Sequence, residues 1–124
     1  MGNIETGRRG EQIAAEFLQE QGFEILARNV RFPDGEIDIV ARNPTGPWDT
    51  GPPEIAIVEV KTRSSTRFGT GAEAITPAKY ARLYGLAAQW SRANPGTGRT
   101  RVDVISILLD GSSYELEHIR GVML

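Results

Sequence analysis

Residues 55–62, IAIVEVKT, form the most strand-like stretch of the chain. The first half is apolar at every position, and a strand that is apolar on both faces is typical of the middle of a sheet. In the second half the side chains alternate, so Glu59 and Lys61 should point to one face while Val58 and Val60 point to the other. The stretch therefore predicts a central strand that carries two charged side chains into a largely buried sheet.

Periodicity and turn residues on either side of this strand predict the other elements. A helix is expected over residues 7–21, where Gly22 is a common residue just past a helix end, and a second helix is expected from Pro77, capped by Thr76. Strands are expected at 23–30, 36–42, 101–109 and 114–119, and an exposed loop rich in proline and glycine at 43–53. We expect an α/β fold, a mixed sheet flanked by helices in the order α-β-β-β-α-β-β.

The composition limits the classes of protein that need to be considered. With 124 residues, 40% of them hydrophobic and 24% charged, the chain has the size and composition of a single domain over residues 1–124. It contains no cysteine, so disulfides, thiolate metal sites and a cysteine nucleophile are excluded. The apolar runs are too short to cross a bilayer. We therefore expect a cytoplasmic protein with no membrane partner.

Charge is distributed unevenly along a chain whose net charge is −2. The segment 61–101 holds eight basic residues and only one acid, Glu73, whereas the segments before and after it are acidic. Such asymmetry predicts a local positive face, which would suit a nucleic-acid partner.

Asp38 is the second acid that the pattern places in an apolar strand. We expect it to project opposite to its neighbours Ile37 and Ile39. If its strand lies beside the central one, about 4.8 Å away, Asp38 and Glu59 lie side by side. Two carboxylates that close either share a proton or bind a cation. A hard cation such as Mg²⁺ suits this all-oxygen site, and Lys61 could neutralise charge on a bound phosphate.

Glu11 is misplaced on the first predicted helix. It falls inside the apolar arc formed by residues such as Ile13 and Leu18, together with Gly7 and Gly10, which would allow another backbone to approach closely. Glu11 could complete the acidic cluster. Its simpler interpretation is an acid that interacts with the helix dipole.

The other acids have simpler interpretations as well. A Glu two residues before a Lys on a strand commonly lies on a solvated face or forms an ion pair with that Lys. Asp38 could be a strand-end acid that pairs with an arginine. Asp103 shares a strand face with Arg101, which favours a structural ion pair over a metal ligand.

Four short motifs in order make the sequence recognisable. They are Gly-x-x-Gly-Glu at 7–11, Gly-Glu-Ile-Asp at 35–38, Val-Glu-Val-Lys-Thr-Arg at 58–63 and Arg-Val-Asp-Val-Ile at 101–105. Together they resemble the uncharacterised YraN-like bacterial family, known as uncharacterised protein family 0102. That family resembles the PD-(D/E)xK nuclease superfamily, and within it the archaeal Holliday-junction resolvases.

The resemblance implies a restriction-endonuclease-like fold, a Mg²⁺ or Mn²⁺ site and a nucleic-acid substrate. By motif position Asp38 matches the metal-binding acid, Glu59 and Lys61 match the E-x-K pair, and Glu11 matches the helix glutamate of the resolvases. Candidate nucleic-acid contacts follow the motif along the chain: Arg63, Ser64, Ser65, Arg67 and Lys79.

The leading hypothesis is a metal-dependent nuclease that hydrolyses phosphodiester bonds in branched or otherwise structured DNA, with DNA expected ahead of RNA. A homodimer is expected by analogy, because symmetric cleavage of two strands needs two sites. One alternative is a non-catalytic nucleic-acid-binding module that retains the fold. Another is a protein-interaction adaptor. The loop 43–53 could shape or obstruct a groove.

Overall fold

The computed structural model describes residues 3–46, 48–64 and 76–122. Two helices and five strands run in the predicted order α-β-β-β-α-β-β. They are α1 (Asn3–Glu20), β1 (Glu24–Phe32), β2 (Gly35–Asn43), β3 (Glu54–Arg63), α2 (Pro77–Ala93), β4 (Arg99–Asp110) and β5 (Ser113–Ile119). Helix α1 begins four residues before the predicted start, because the apolar arc that revealed it does not extend into its first turn. Neither helix in the described ranges is long and apolar enough to cross a membrane.

The five strands form one mixed sheet in the order β1-β2-β3-β4-β5. Strands β3 and β4 are parallel, as expected for strands joined through a helix, and the other neighbours are antiparallel. The mixed α/β fold and the central position of β3 are thus confirmed.

Each face of the sheet is covered by one helix. On one face Ala14 and Leu18 of α1 pack on Val58, and we call this the α1-side core. On the other face Leu86 and Trp90 of α2 pack with Ile57, and we call this the α2-side core. Trp90 is almost fully buried in this core.

Of the two predicted close approaches on α1, one occurs. A Cβ placed on Gly10 would lie 1.8 Å from Oγ1 of Thr62, so only glycine lets α1 sit this close to β3. A Cβ on Gly7 would meet nothing within 4 Å, so the prediction is wrong for Gly7. The contact between Gly10 and Thr62 therefore sets how closely α1 packs against β3.

The proline-rich loop lies away from the acidic residues. It joins the end of β2 to the start of β3, whereas Asp38 and Glu59 lie about five residues, or roughly 16 Å, further along these strands. Asp49 in the loop pairs with Arg120 at 3.1 Å. The described part of the loop therefore neither shapes nor obstructs the cleft at the acidic residues.

Candidate active site

The sheet divides between β2 and β3. These strands pair from Asn43 with Glu54 as far as Ile39 with Val58. Beyond that point β2 continues along β1, while β3 continues along β4 as far as Arg63. We call the resulting opening, between residues 35–38 of β2 and 59–63 of β3, the fork.

Asp38 lies at the base of the fork. Continuing the register of Ile39 with Val58 by one residue places Asp38 opposite Glu59. The Val60 amide donates a hydrogen bond of 2.8 Å to Oδ2 of Asp38, so the carboxylate reaches across from β2 to the β3 backbone. Burial, and next the negative charge of Glu59, raises the pKa of Asp38 to about 7. Without a cation, Asp38 is therefore substantially protonated at neutral pH.

The orientation predicted for Asp38 relative to its neighbours is wrong. Ile37 packs in the α2-side core and Ile39 in the α1-side core, so they lie on opposite faces of the sheet. The two-residue alternation breaks at Asp38, and it is this break that frees the carboxylate to turn into the fork. The local sequence Ile-Asp-Ile reads like a regular strand, so it gives no sign of the break.

Glu59 and Lys61 project together from the other side of the fork. Val58 and Val60 pack in the α1-side core, so the two charged residues face α2. The Glu59 carboxylate is 4.0 Å from Nζ of Lys61 and 3.9 Å from Nη2 of Arg82, and its side chain is only 12% exposed. Burial lowers the pKa of Lys61, and the adjacent Lys79 ammonium lowers it further.

Glu11 lies beside these residues, but its carboxylate is hydrogen-bonded by two residues of β1. Its Oε1 accepts hydrogen bonds from Nε of Arg28 at 3.1 Å and from Nδ2 of Asn29 at 2.9 Å. Glu11 and Asp38 line the same cleft, and the negative charge of Glu11 contributes to the raised pKa of Asp38. In this structure Glu11 therefore joins α1 to β1 next to the site.

Two carboxylates at this site, rather than three, are placed where they could bind a hard cation. No group of three or more Asp, Glu and His side chains within the described ranges is arranged to hold a metal ion. The facing pair of Asp38 and Glu59 nevertheless matches Mg²⁺, which commonly uses one or two carboxylates and leaves its remaining positions to water and phosphate. The residues present fit such an ion, with Glu11 adjacent to the ligand pair.

A cleft of about 450 Å³ opens onto the fork from the α1 side. Its lining includes Thr6, Arg8, Glu11, Asp38, Lys61 and Thr62. The exposed side chain of Ile4 stands at its edge. The cleft gives a ligand a route from solvent to Asp38 and Lys61.

The predicted nucleic-acid contacts are only partly described. Arg63 ends β3 and is half-buried, and Ser64 follows it on the surface. Lys79 lies in the first turn of α2 beside Lys61. Ser65 and Arg67 lie outside the described residues.

Three residues at the site were missed by the sequence argument. Arg82 contacts Glu59, and its spacing of three residues from Lys79 on a predicted helix is a signal that could have found it. Arg28 and Asn29 bind Glu11 from β1. Their spacing along the chain gives no comparable signal, because the contact is between distant elements.

The chain is similar to known proteins over most of its length. Residues 10–107 match the uncharacterised protein family UPF0102. A UPF0102 protein of Paenarthrobacter aurescens is 46% identical over 94% of this chain and 91% of its own length. One from Leifsonia xyli is 45% identical over 96% of both chains, and one from Pelobacter propionicus is 44% identical over 94% of this chain and 81% of its own.

The chain belongs to UPF0102. This confirms the predicted family resemblance. UPF0102 is described as uncharacterised and these relatives carry only the family name, so membership identifies the family without assigning an activity. The matched region contains Glu11, Asp38, Glu59, Lys61, Lys79 and Arg82, whereas Arg8 of the cleft precedes it.

Proposed function

We propose that this UPF0102 protein is a metal-dependent nuclease that hydrolyses phosphodiester bonds in DNA. The observation that carries the proposal is the pair of half-buried, facing carboxylates Asp38 and Glu59, with Lys61 beside them. Partly desolvated acids placed this close together cost stability, and proteins tend to concentrate such costs at functional sites. The resemblance to PD-(D/E)xK nucleases and resolvases points to the same function.

Each residue has a distinct task in this proposal. Asp38 and Glu59 would hold Mg²⁺ or Mn²⁺, and the ion would supply Lewis-acid polarisation of a phosphoryl oxygen. Lys61, fixed between Glu59 and Lys79, donates hydrogen bonds to the phosphate as negative charge develops on it. Arg82 stays half-exposed beside Glu59 and offers a second cation to the phosphate backbone.

The charge around the fork favours nucleic acid as the substrate, although the whole chain is acidic. Arg8, Lys61, Lys79 and Arg82 lie around the cleft or the fork. We expect DNA ahead of RNA, and branched or otherwise structured DNA ahead of a plain duplex. A homodimer would supply the two sites that symmetric cleavage needs. The absence of cysteine is compatible with action in the cytoplasm.

The direct test incubates purified protein with labelled linear, flapped and four-way DNA and with Mg²⁺ or Mn²⁺. We expect metal-dependent cleavage by the wild type and its loss in Asp38→Asn. Asp49→Asn is the matched control, because Asp49 is an exposed acid in the remote loop. Cleavage that survives Asp38→Asn would come from another site or from a contaminant, and the proposal would fall.

A second candidate function is a non-catalytic nucleic-acid-binding module. The binding of Glu11 by Arg28 and Asn29 favours it, because this third acid is held by cations and amides. This function predicts salt-dependent DNA binding without cleavage under any metal. Binding with no product in the same assay would select it over the nuclease.

A further inference from the structure

Asn29 has an unusual backbone for a strand residue. Its φ is +54°, and among the described residues only Asp49 shares a positive φ without being glycine. This left-handed conformation is sterically costly for most L-residues and is best tolerated by asparagine after glycine. Such backbone strain persists only where its surroundings enforce it, and it concentrates at functional sites.

The position of Asn29 in the sheet indicates what its left-handed backbone does. Strand β1 pairs through Arg28 with Ile39 and through Val30 with Ile37, which leaves Asn29 facing Asp38 between two regular pairs. The alternation of faces breaks in both strands at this point. On β1, Ala27 and Val30 pack in the same α2-side core although they are three residues apart.

The paired break explains how Asp38 reaches its position. Were β2 regular here, Ile37 and Ile39 would share one face, yet they lie in different cores. With the pleat interrupted, the Asp38 side chain can leave the face of the sheet and accept the hydrogen bond from the Val60 amide. A side chain of β2, rather than its backbone, thus binds β3 at the base of the fork.

The Asn29 side chain makes a second contribution. Its amide donates to the same Glu11 oxygen that accepts from Arg28, with distances of 2.9 and 3.1 Å. Glycine would meet the backbone requirement equally well but could not hold Glu11. Asparagine is therefore suited to both tasks, since it tolerates the left-handed region and carries a hydrogen-bond donor.

We propose that Asn29 is a positioning residue of the candidate active site, whose left-handed backbone places Asp38 in the fork and whose amide holds Glu11 beside it. The structural part concerns where Asp38 lies. The functional part, that this placement matters for a cation, rests on the proposed function. Two readouts separate these parts.

The first readout is metal-free hydrogen exchange of the Val60 amide, compared with the global stability of each variant. Asn29→Ala removes the amide and disfavours the backbone, so we expect Val60 to exchange roughly tenfold faster than the stability change explains. Asn29→Gly keeps the backbone, so Val60 should stay protected. Asp49→Ala is the control, because it alters the other described non-glycine residue with a positive φ, far from the fork, and should leave Val60 unchanged.

The second readout is the Mn²⁺ affinity from calorimetry. Removal of a residue that orients metal ligands typically lowers metal affinity by about 10–100-fold. We expect Asn29→Ala to lower the Mn²⁺ affinity within this range and Asn29→Gly to lower it less. Should Asn29→Ala not fold, Asn29→Ser makes the same demand on φ with a small polar side chain and is read in the same way.

The outcomes are distinguishable. Normal Val60 protection in Asn29→Ala, or equal loss of protection in the Ala and Gly variants, overturns the backbone role of Asn29. Equal Mn²⁺ affinity of Asn29→Gly and the wild type overturns the role of its amide. If Val60 responds as expected but even the wild type does not bind Mn²⁺, the metal-dependent function fails while the placement of Asp38 by Asn29 stands.

Discussion

At the scale of single residues, the acid that the proposed function needs is also one that destabilises the fold when it is ionised. Asp38 is half-buried beside Glu59, and its pKa lies well above its ordinary value of 3.8, at about 7. The folded state therefore favours the protonated carboxyl. The fold is therefore more stable when Asp38 is protonated than when it is ionised. This stabilisation is complete below about pH 4 and is lost progressively as the pH rises to about 7.

Asp38→Asn should consequently stabilise the metal-free protein at high pH. The amide oxygen of asparagine can still accept from the Val60 amide, while the half-buried negative charge is removed. We expect a gain of about 2–4 kcal/mol in the free energy of unfolding at pH 8 and almost none at pH 4. Urea unfolding at both pH values measures this. A variant that is less stable than wild type at pH 8 would mean that Asp38 is a structural acid.

The sequence could predict some residues of the site and not others, for physical reasons. The shared face of Glu59 and Lys61 followed from strand alternation, which holds along β3 because that strand stays paired with β4 through Arg63. Alternation failed at Asp38, where β2 loses one neighbour and the strand bends. Contacts such as Arg28 with Glu11 depend on how α1 lies over β1, which no local pattern encodes.

At the scale of elements, the seating of α1 on β3 is set by one glycine. Gly10→Ala would drive a methyl group into Thr62, so either the helix or the strand must shift. We expect a loss of about 1–3 kcal/mol in stability together with displacement of Glu11, the next residue on α1. Thermal unfolding and the chemical shifts of the Glu11 partners Arg28 and Asn29 would report both effects.

Gly7→Ala is the matched control on the same helix. A methyl group there meets nothing within 4 Å, so the higher helix propensity of alanine should raise stability by up to about 1 kcal/mol. If both alanines destabilised α1 equally, the contact between Gly10 and Thr62 would not be what seats the helix.

Strand β5 is fixed to β4 by a second acid, Asp103, which lies apart from the fork. Asp103 is fully buried and accepts two hydrogen bonds from Arg101, at 2.9 and 3.0 Å, as predicted for an ion pair. His118 of β5 lies 2.9 Å from the same carboxylate. Burial alone would raise the pKa of Asp103, but hydrogen bonds with His118 and Arg101 outweigh it and hold the pKa below its ordinary value.

Asp103→Asn should therefore be strongly destabilising near neutral pH. The substitution leaves the buried Arg101 guanidinium without its counter-charge, which typically costs about 3–5 kcal/mol. The stabilisation exists above the ordinary carboxyl pKa and is lost as the pH falls below it, so the difference from wild type should shrink towards pH 3. Urea unfolding at pH 7 and pH 3 tests this, with the exposed Asp110→Asn as control. A difference that did not depend on pH would contradict the role of the charge.

At the scale of the whole molecule, a net charge of −2 has to be reconciled with the proposed nucleic-acid partner. The fold does this by placing basic side chains where the sheet divides. Lys79 and Arg82, from the first half of α2, come to the same place as Lys61 from β3. The acidic remainder of the surface should repel DNA phosphates and weaken non-specific binding. The basic side chains at the fork should then be the place where DNA makes contact.

This arrangement predicts which cations determine the salt dependence of DNA binding. Each phosphate neutralised by a cation contributes about 0.9 to the slope of log affinity against log salt concentration. Arg82→Ala should therefore weaken binding and reduce that slope by about one. Arg92→Ala removes the same charge from the exposed last turn of α2, ten residues away, and should leave the slope nearly unchanged. Fluorescence anisotropy across a salt series measures both slopes. Equal reductions would show that DNA is attracted by overall charge, and contact at the fork would then have no support from binding.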